Sequence, residues 1–210
     1  MPTQQRLLLE GAAGAVEIVI DHPEEAAGTA PRGIALIAHP HPLFGGTLDN
    51  KVAQTLARVF TELGYIAIRP NFRGVGASAG VHDHGEGETD DLVGVAAQAR
   101  SRFGDLPLAL AGFSFGAFVQ TRAAKRVVPE RMVLIGLAAG LVAAGRSYAL
   151  DTVPADTILI HGEKDQTVPL ANVLDWAQPQ DLPVVVIPGA DHFFHRRLHL
   201  IRNIIKGQWH

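Results

Sequence analysis

The chain contains no cysteine, and this absence removes several kinds of chemistry at once. Disulfide bonds, thiolate nucleophiles and sulfur-ligated metals are excluded, and cysteine usage carries no information about the redox compartment. An excess of basic charge is also absent, because 18 Lys and Arg residues stand against 21 Asp and Glu residues and the formal net charge is −3. Nucleic-acid binding needs a basic field, so this composition predicts no nucleic-acid partner.

Long apolar segments are missing as well. The longest apolar run without a charge is Met132 to Gly145, which is too short to span about 30 Å of hydrocarbon. The amino-terminal segment offers only Leu7–Leu9 before Glu10, too little for the apolar core of a secretory signal. We therefore expect no membrane partner and a cytoplasmic location.

What is present is an ordinary globular composition, with 47% apolar and 19% charged residues in 210. A chain of this length, without repeats or a long linker, predicts one domain over residues 1–210. A core of this size forms without disulfide or metal staples.

Short apolar runs alternate with longer helical patterns along most of the chain. Continuous runs of Val, Ile, Leu and Ala are typical of strands that helices cover on both faces. The alternation predicts an α/β fold with a mostly parallel central sheet flanked by helices. The first two strand candidates, joined through Gly11 and Gly14, predict an antiparallel amino-terminal hairpin at one edge. The predicted strands are residues 6–10, 15–21, 33–39, 65–70, 106–112, 132–137, 157–162 and 183–188, and the predicted helices are residues 50–63, 89–103, 115–127, 169–178 and 194–206.

The segment around Ser114 has the pattern G-x-S-x-G between an apolar strand and an Ala-rich helical segment. A serine in the sharp turn from strand to helix needs small residues two positions before and after it, here Gly112 and Gly116. Such a turn lifts the hydroxyl clear of the sheet and aims a helix amino terminus at a developing oxyanion. Ser114 is therefore the candidate nucleophile, the alternative being a plain helix N-cap.

A serine hydroxyl needs a histidine to take its proton and a carboxylate to orient that histidine. After the strand at 157–162 the chain offers Asp165, and after the strand at 183–188 it offers His192. Because the carboxyl ends of parallel strands share one edge, we expect Ser114, Asp165 and His192 to meet there as a catalytic triad. Glu163 as the acid and His195, interpreted as part of the last helix, as the base are weaker alternatives.

Other interpretations of these side chains compete with a catalytic one. Asp165 has an alternative as a turn residue that caps the following helix. Asp191 is expected to face away from the triad, and His161 to bond to backbone behind the acid loop.

With GFSFG, HGEKDQTVP and GADHFF in this order, the sequence resembles the α/β-hydrolase superfamily. HPHPLFGGTLDNK (39–51) and NFRGVGASAG (71–80) look like motifs of small bacterial serine hydrolases that lack a lid and are relatives of the dienelactone hydrolases. The resemblance implies that this chain has an α/β-hydrolase fold and acts as an esterase. Dienelactone hydrolases use a cysteine nucleophile, so that activity does not carry over to a chain with Ser114; haloalkane dehalogenases place an aspartate there.

Two backbone N–H groups are expected to form the oxyanion hole. One belongs to Phe115, the residue after the nucleophile, and the other to the loop after the third strand. Pro40 and Pro42 have no N–H, which leaves His41 and Leu43. The resemblance to dienelactone hydrolases favours Leu43. The histidines of this loop are interpreted as braces more readily than as substrate ligands.

The connection from residue 138 to residue 156 has the length of a short helix and loops, so no cap domain is expected. The histidines and carboxylates from His82 to Asp91 suggest either a metal site or a solvated loop with acidic groups at a helix amino end, and we favour the loop. No cofactor or metal is predicted. Oligomeric state does not follow from the sequence.

The sequence thus predicts a serine hydrolase that cleaves small, accessible acyl esters through an acyl-serine intermediate, with a small-molecule acyl substrate as its partner. The same triad serves a thioesterase, amidase or peptidase equally well. An alternative from another class is a catalytically silent α/β-hydrolase-fold binding protein.

Overall fold

The structure, a computed structural model, describes residues 4–24 and 30–210. Residues 1–3 and 25–29 of the predicted domain lie outside the described residues. The strands of the described part are β1 (Gln4–Gly11), β2 (Gly14–Asp21), β3 (Gly33–Ala38), β4 (Tyr65–Pro70), β5 (Leu108–Phe113), β6 (Arg131–Ile135), β7 (Gly140–Leu141), β8 (Ser147–Tyr148), β9 (Ile158–Gly162) and β10 (Val184–Ile187). Its α-helices are α1 (Lys51–Glu62), α2 (Glu86–Phe103), α3 (Phe115–Val127), α4 (Leu170–Ala177) and α5 (Leu198–Gln208).

Eight of these strands form one sheet in the order β1-β2-β4-β3-β5-β6-β9-β10. β1 pairs antiparallel with β2, and β2 pairs antiparallel with β4. All the other neighbours pair in parallel, from β4 through to β10. The predicted parallel sheet with an antiparallel hairpin at its edge is confirmed. The carboxyl ends of β3, β5, β9 and β10 therefore lie along one edge, which we call the carboxyl edge.

Helices cover both faces of this sheet, which explains why its strands are continuously apolar. In β3, Ile34 and Leu36 belong to a core cluster that includes residues of α2, α3 and α4. Ala35 and Ile37 of the same strand belong to a second cluster that includes residues of α1 and α5. Successive side chains of a strand point to opposite faces, so both sets must be apolar.

The connection between β6 and β9 differs from the predicted short helix and loops. Its short strands β7 and β8 pair as an antiparallel hairpin around a single 3-10 turn at Ala143–Gly145. Within the described residues no cap domain covers the carboxyl edge, because this connection is all that lies between β6 and β9.

Two helix starts also differ from the prediction. α2 begins at Glu86 rather than at residue 89. Its early start is capped by the Glu88 side chain, which accepts a hydrogen bond from Gly85 N–H at 2.8 Å. α5 begins at Leu198 rather than at residue 194, because Phe194 and Arg196 adopt positive φ angles of 53° and 60° that end any earlier helical turn. None of the helices in the described part of the chain has the length and apolar character needed to cross a bilayer.

Candidate active site

Ser114 occupies the turn between β5 and α3 with φ 56° and ψ −118°, a conformation that side-chain-bearing residues rarely adopt. The flanking glycines, Gly112 and Gly116, allow the backbone of this turn to pack closely on itself and on the end of β3. A Cβ on Gly116 would lie 2.4 Å from the carbonyl oxygen of His39, and one on Gly112 would lie 2.7 Å from the backbone of Gly116. Ser114 stands at the N-cap position of α3, but its side chain makes no capping hydrogen bond. The hydroxyl is therefore available for another partner.

That partner is His192, which follows β10. Its Nε2 lies 2.9 Å from the Ser114 Oγ, and its Nδ1 lies 2.6 Å from the Asp165 Oδ2. A carboxylate can only accept, so Nδ1–H donates to Asp165 and the serine hydroxyl donates to Nε2. All three residues are buried at the carboxyl edge. The structure thus brings the three predicted triad residues into one hydrogen-bonded chain.

Asp165 has two roles in the loop after β9. Its Oδ1 accepts hydrogen bonds from the backbone N–H groups of Thr167 and Val168, each at 2.8 Å, while Oδ2 faces His192. Asp165 therefore closes a turn with one oxygen and meets His192 with the other, but it does not cap α4, whose N-cap is Pro169. The two backbone donors hold the Asp165 carboxylate in the orientation in which it accepts the hydrogen bond from His192.

His161 lies behind this loop, as expected. Its Nε2 is 3.0 Å from the carbonyl oxygen of Val168 and 3.3 Å from the Asp165 Oδ2. Burial lowers the pKa of His161, which keeps the ring neutral. A neutral ring with Nε2–H donates to these oxygens and supports the acid loop from beneath.

The alternative acid and base have other partners. The Glu163 carboxylate accepts a hydrogen bond from Gly189 N–H at 2.6 Å. His195 lies in the loop before α5, not inside the helix, and its Nδ1 pairs with the Asp191 Oδ2 at 2.6 Å on the surface. The prediction that His195 is helical is wrong, and the Asp191 carboxylate bonds to His195 and to no residue of the predicted triad.

The loop after β3 is braced by its histidines. His39 Nε2 accepts a hydrogen bond from Phe72 N–H at 2.9 Å, and its Nδ1 is 2.6 Å from the carbonyl oxygen of Pro40. Burial lowers the pKa of His39 to about 4, so the ring is neutral at neutral pH. Burial, followed by the nearby charges of His82 and Arg146, lowers the pKa of His41 to about 4 as well.

The two candidate oxyanion donors of this loop differ in availability. Leu43 N–H already donates to the Nδ1 of His41 at 3.2 Å. Among the residues that the structure describes, His41 N–H has no acceptor. The His41 ring packs on the Phe115 ring at 4.8 Å between centroids, and Phe115 N–H, as the first of α3, has no intrahelical acceptor. Between the two candidates of this loop, this geometry favours the N–H of His41 over that of the predicted Leu43 as the partner of Phe115 in the oxyanion hole.

Two depressions flank the site at the carboxyl edge. One, of about 390 Å³, is lined by His192 and Phe193 on the histidine side. The other, which we call the arginine cleft, has a volume of about 510 Å³ and opens on the side of the β3 loop. Sequence reasoning missed the arginine cleft, because its walls come from separate segments. Its lining includes His41, Phe44, His82, Phe118, Arg146 and Tyr148.

The histidines and acids between His82 and Asp91 are divided among separate partners. His82 Nδ1 is 2.8 Å from the Glu88 Oε1, and Asp91 pairs with Arg73 at 2.9 Å. Asp90 pairs with Arg126 at 2.5 Å. The favoured interpretation holds in part: Asp83, His84, Glu86 and Asp90 are exposed, and α2 has acidic residues in its first turn. Glu88 and Asp91 are instead buried.

The chain is similar in sequence to a known protein family and to a bacterial protein. Residues 15–150 match the family model for X-Pro dipeptidyl-peptidase (S15 family). An uncharacterized protein of Rickettsia prowazekii is 34% identical over 182 residues, which cover 80% of this chain and 75% of that protein.

Solved structures agree with this relationship. A serine hydrolase of Xanthomonas campestris described as being without a lid has 36% identity and a TM-score of 0.89, covering 99% of this chain and 94% of its own. An α/β serine hydrolase homologue from Coxiella burnetii has 33% identity and a TM-score of 0.85, covering 100% and 99%. The chain therefore belongs to the X-Pro dipeptidyl-peptidase (S15) family within the α/β-hydrolase superfamily, in a form without a lid.

Proposed function

We propose that the protein is a carboxylesterase that cleaves small, accessible acyl esters through an acyl-Ser114 intermediate. The observation that carries this proposal is the unbroken chain from the Ser114 Oγ through His192 to Asp165, with links of 2.9 and 2.6 Å. A nucleophile, a base within hydrogen-bond reach and a carboxylate that orients the base are the parts that acyl transfer requires.

Acylation begins when the Ser114 Oγ attacks the ester carbonyl carbon and His192 Nε2 takes the hydroxyl proton. The carbonyl π electrons move to oxygen, and the N–H groups of Phe115 and His41 stabilise the oxyanion. Asp165 stabilises the imidazolium that forms. When the tetrahedral intermediate collapses, the bond to the leaving oxygen breaks, and His192 gives that oxygen its proton.

Deacylation repeats these steps with water in place of the serine hydroxyl. His192 takes a proton from water as the oxygen attacks the acyl carbon, and the Ser114 Oγ leaves with that proton. Water reaches the acyl-enzyme readily, because no cap domain of the described residues covers the carboxyl edge. These steps need only side chains and backbone N–H groups of this chain.

Hydrolysis of 4-nitrophenyl acetate tests the proposal. We expect Ser114→Ala to lower kcat by about 10⁴-fold or more, because the nucleophile is lost. The exposed Ser101 in α2 provides a matched control, and Ser101→Ala should leave the rate unchanged. Equal rates in the wild type and Ser114→Ala would overturn the esterase assignment.

Peptide cleavage is the second candidate, favoured by the family model that matches residues 15–150. A dipeptidyl-peptidase has to accept an amino-terminal ammonium group, for which buried or cleft-lining carboxylates are suitable partners. The arginine cleft instead presents Arg122, Arg146 and three histidines, and none of its described lining residues is acidic. Its charge therefore favours an ester over an X-Pro peptide substrate.

Direct comparison of the two substrate classes separates these candidates. We expect kcat/KM for 4-nitrophenyl acetate to exceed that for Ala-Pro-4-nitroanilide, and the reverse order would establish the peptidase. A fluorophosphonate probe that labels the wild type but not Ser114→Ala distinguishes either enzyme from a catalytically silent binding protein.

A further inference from the structure

We propose that the arginine cleft binds the acyl part of the substrate and selects acyl groups that end in a carboxylate, such as half-esters of dicarboxylic acids. This inference rests on the proposed esterase function and adds its substrate class. It follows from the position of the cleft relative to the reacting groups, from the free hydrogen-bonding capacity of Arg146, and from the charge and apolar character of the walls.

The position of the cleft assigns it to the acyl side. The leaving oxygen must receive its proton from His192 Nε2, so the leaving group lies on the histidine side, where the smaller depression opens. The arginine cleft lies on the other side, next to both oxyanion donors: His41 lines it, and the Phe115 ring contacts those of His41 and Tyr148 at 4.8 and 6.0 Å. A carbonyl oxygen held by these donors directs its acyl chain into this cleft.

Arg146 is held in place but keeps donors free. Its guanidinium carbon lies 4.3 Å from the centroid of the Phe44 ring, its Nε donates to the carbonyl oxygen of Ala143 at 3.2 Å, and its Nη1 donates to the Tyr148 hydroxyl at 3.3 Å. Nη2 and the second Nη1 hydrogen have no acceptor among the described residues. A planar guanidinium with these donors matches a carboxylate in bidentate geometry.

Arg146 also differs from its neighbour Arg122 in having no acidic partner. Arg122 pairs with Glu86, so its charge is already balanced. No carboxylate in the described part of the chain forms an ion pair with Arg146. An arginine in a cleft beside reacting groups, without a counter-charge of its own, is suited to a counter-charge that the ligand brings.

The remaining walls suit a carbon chain with an anionic end. Phe44, Phe118 and Tyr148 give the cleft an aromatic surface. His82 presents its ring to the cleft, while its Nδ1 is occupied by Glu88, a residue that is completely buried behind it. Glu88 also accepts hydrogen bonds from the backbone N–H groups of Asp83 and Gly85, so both of its oxygens already have partners within the protein.

Two esters with acyl chains of equal length test the selection. Monomethyl adipate and methyl hexanoate differ only in whether the acyl chain ends in a carboxylate or a methyl group. We expect the wild type to hydrolyse monomethyl adipate with the higher kcat/KM, measured by titration of released acid. In Arg146→Gln the ratio of kcat/KM for monomethyl adipate to kcat/KM for methyl hexanoate should fall roughly 10- to 100-fold, since a charge-assisted hydrogen-bond pair is lost.

Two further variants frame this result. Arg146→Lys keeps the charge but loses the planar fork, so its ratio should lie between those of the wild type and Arg146→Gln. Arg58 is an exposed arginine on α1 away from the cleft, and Arg58→Gln makes the same change in net charge. Its ratio should equal that of the wild type. Thermal unfolding followed by circular dichroism verifies that each variant is folded.

Binding measurements separate the failure of this inference from the failure of the esterase proposal. Ser114→Ala should bind monomethyl adipate at least about tenfold more tightly than methyl hexanoate in an NMR titration, and Arg146→Gln in that background should abolish the difference. Equal affinities, or a kcat/KM ratio that Arg146→Gln leaves unchanged, would overturn the carboxylate selection. Absence of Ser114-dependent hydrolysis of either ester would instead overturn the esterase proposal.

Discussion

The backbone at Ser114 is strained, because φ 56° and ψ −118° suit glycine and not a residue with a Cβ. Such a conformation costs of order 1–3 kcal/mol, and the close packing of Gly116 against β3 holds it in place. The strain exposes the hydroxyl to His192. The strained backbone thus lowers the stability of the fold while it places the Ser114 Oγ next to His192.

Replacing Ser114 by glycine should release this strain. We expect Ser114→Gly to have a free energy of unfolding about 1 kcal/mol higher than that of Ser114→Ala, measured by urea denaturation. Both variants lack the hydroxyl, so the comparison isolates the backbone.

The exposed helical residue Ser101 provides the opposite case. There Ser101→Gly should be less stable than Ser101→Ala by up to about 1 kcal/mol, because glycine weakens a helix interior. If glycine is the less stable residue at both positions, the strain at Ser114 is not significant.

The sequence predicted the three residues that the structure joins in one hydrogen-bonded chain, but not the full geometry around them. Asp165 and His192 follow the ends of separate strands, and the parallel sheet itself dictates that such residues meet. The choice between His41 and Leu43 depended on which N–H is already bonded. The bond from Leu43 N–H to the His41 ring is a local side-chain detail that strand pattern does not encode.

At the scale of elements, the contact between α3 and β3 fixes the site. A Cβ on Gly116 would lie 2.4 and 2.5 Å from the carbonyl oxygens of His39 and Ala38. Gly116→Ala must therefore push the first turn of α3 away from the sheet and move both Ser114 and the Phe115 N–H. We expect a loss of about 2–4 kcal/mol in the free energy of unfolding and a large loss of esterase activity.

Gly94, in the middle of α2, provides a control for this substitution. A Cβ there meets nothing within 4 Å, so Gly94→Ala should raise the free energy of unfolding by about 0.5–1 kcal/mol and leave activity intact. Similar effects of the two substitutions would contradict the steric explanation.

Apolar pattern predicted all eight strands of the main sheet and all five helices of the described chain. The exceptions have local causes. α2 starts early because Glu88 caps it from within, at a Gly-rich stretch of low helical propensity. The hairpin of β7 and β8 contains only two residues in each strand, too few for an alternating pattern to register. That hairpin carries Arg146 and Tyr148, so the arginine cleft was hidden with it.

For the molecule as a whole, the buried histidines determine how stability depends on pH. Burial lowers the pKa of His39 to about 4 from 6.5, so the folded protein holds the neutral ring while the unfolded chain binds a proton below about pH 6.5. The free energy of unfolding should therefore fall as the pH drops from about 6.5 towards 4. The contribution of His39 between pH 7 and 5 is about 2 kcal/mol.

Urea denaturation of the wild type and His39→Gln at pH 7 and 5 measures this contribution. Glutamine supplies an acceptor for Phe72 N–H and a donor for the Pro40 carbonyl, but it does not titrate. The variant should lose about 2 kcal/mol less than the wild type over this interval, and it should retain the loss due to the other buried rings, His41 and His161, whose pKa values are also lowered. Carboxylates whose pKa values are lowered, such as Glu17, act only below about pH 4.5. An unchanged loss in His39→Gln would exclude His39 as a cause.

The carboxyl edge, which no cap domain of the described residues covers, has a kinetic consequence. In many enzymes that close a lid over the substrate, lid opening and product release limit the turnover rate. In the proposed esterase, no cap domain of the described residues delays the departure of the alcohol or shields the acyl-Ser114 intermediate from water. Competing alcohols then have little advantage over water as acceptors, so such a catalyst would make free acids and would be poorly suited to synthesising new esters.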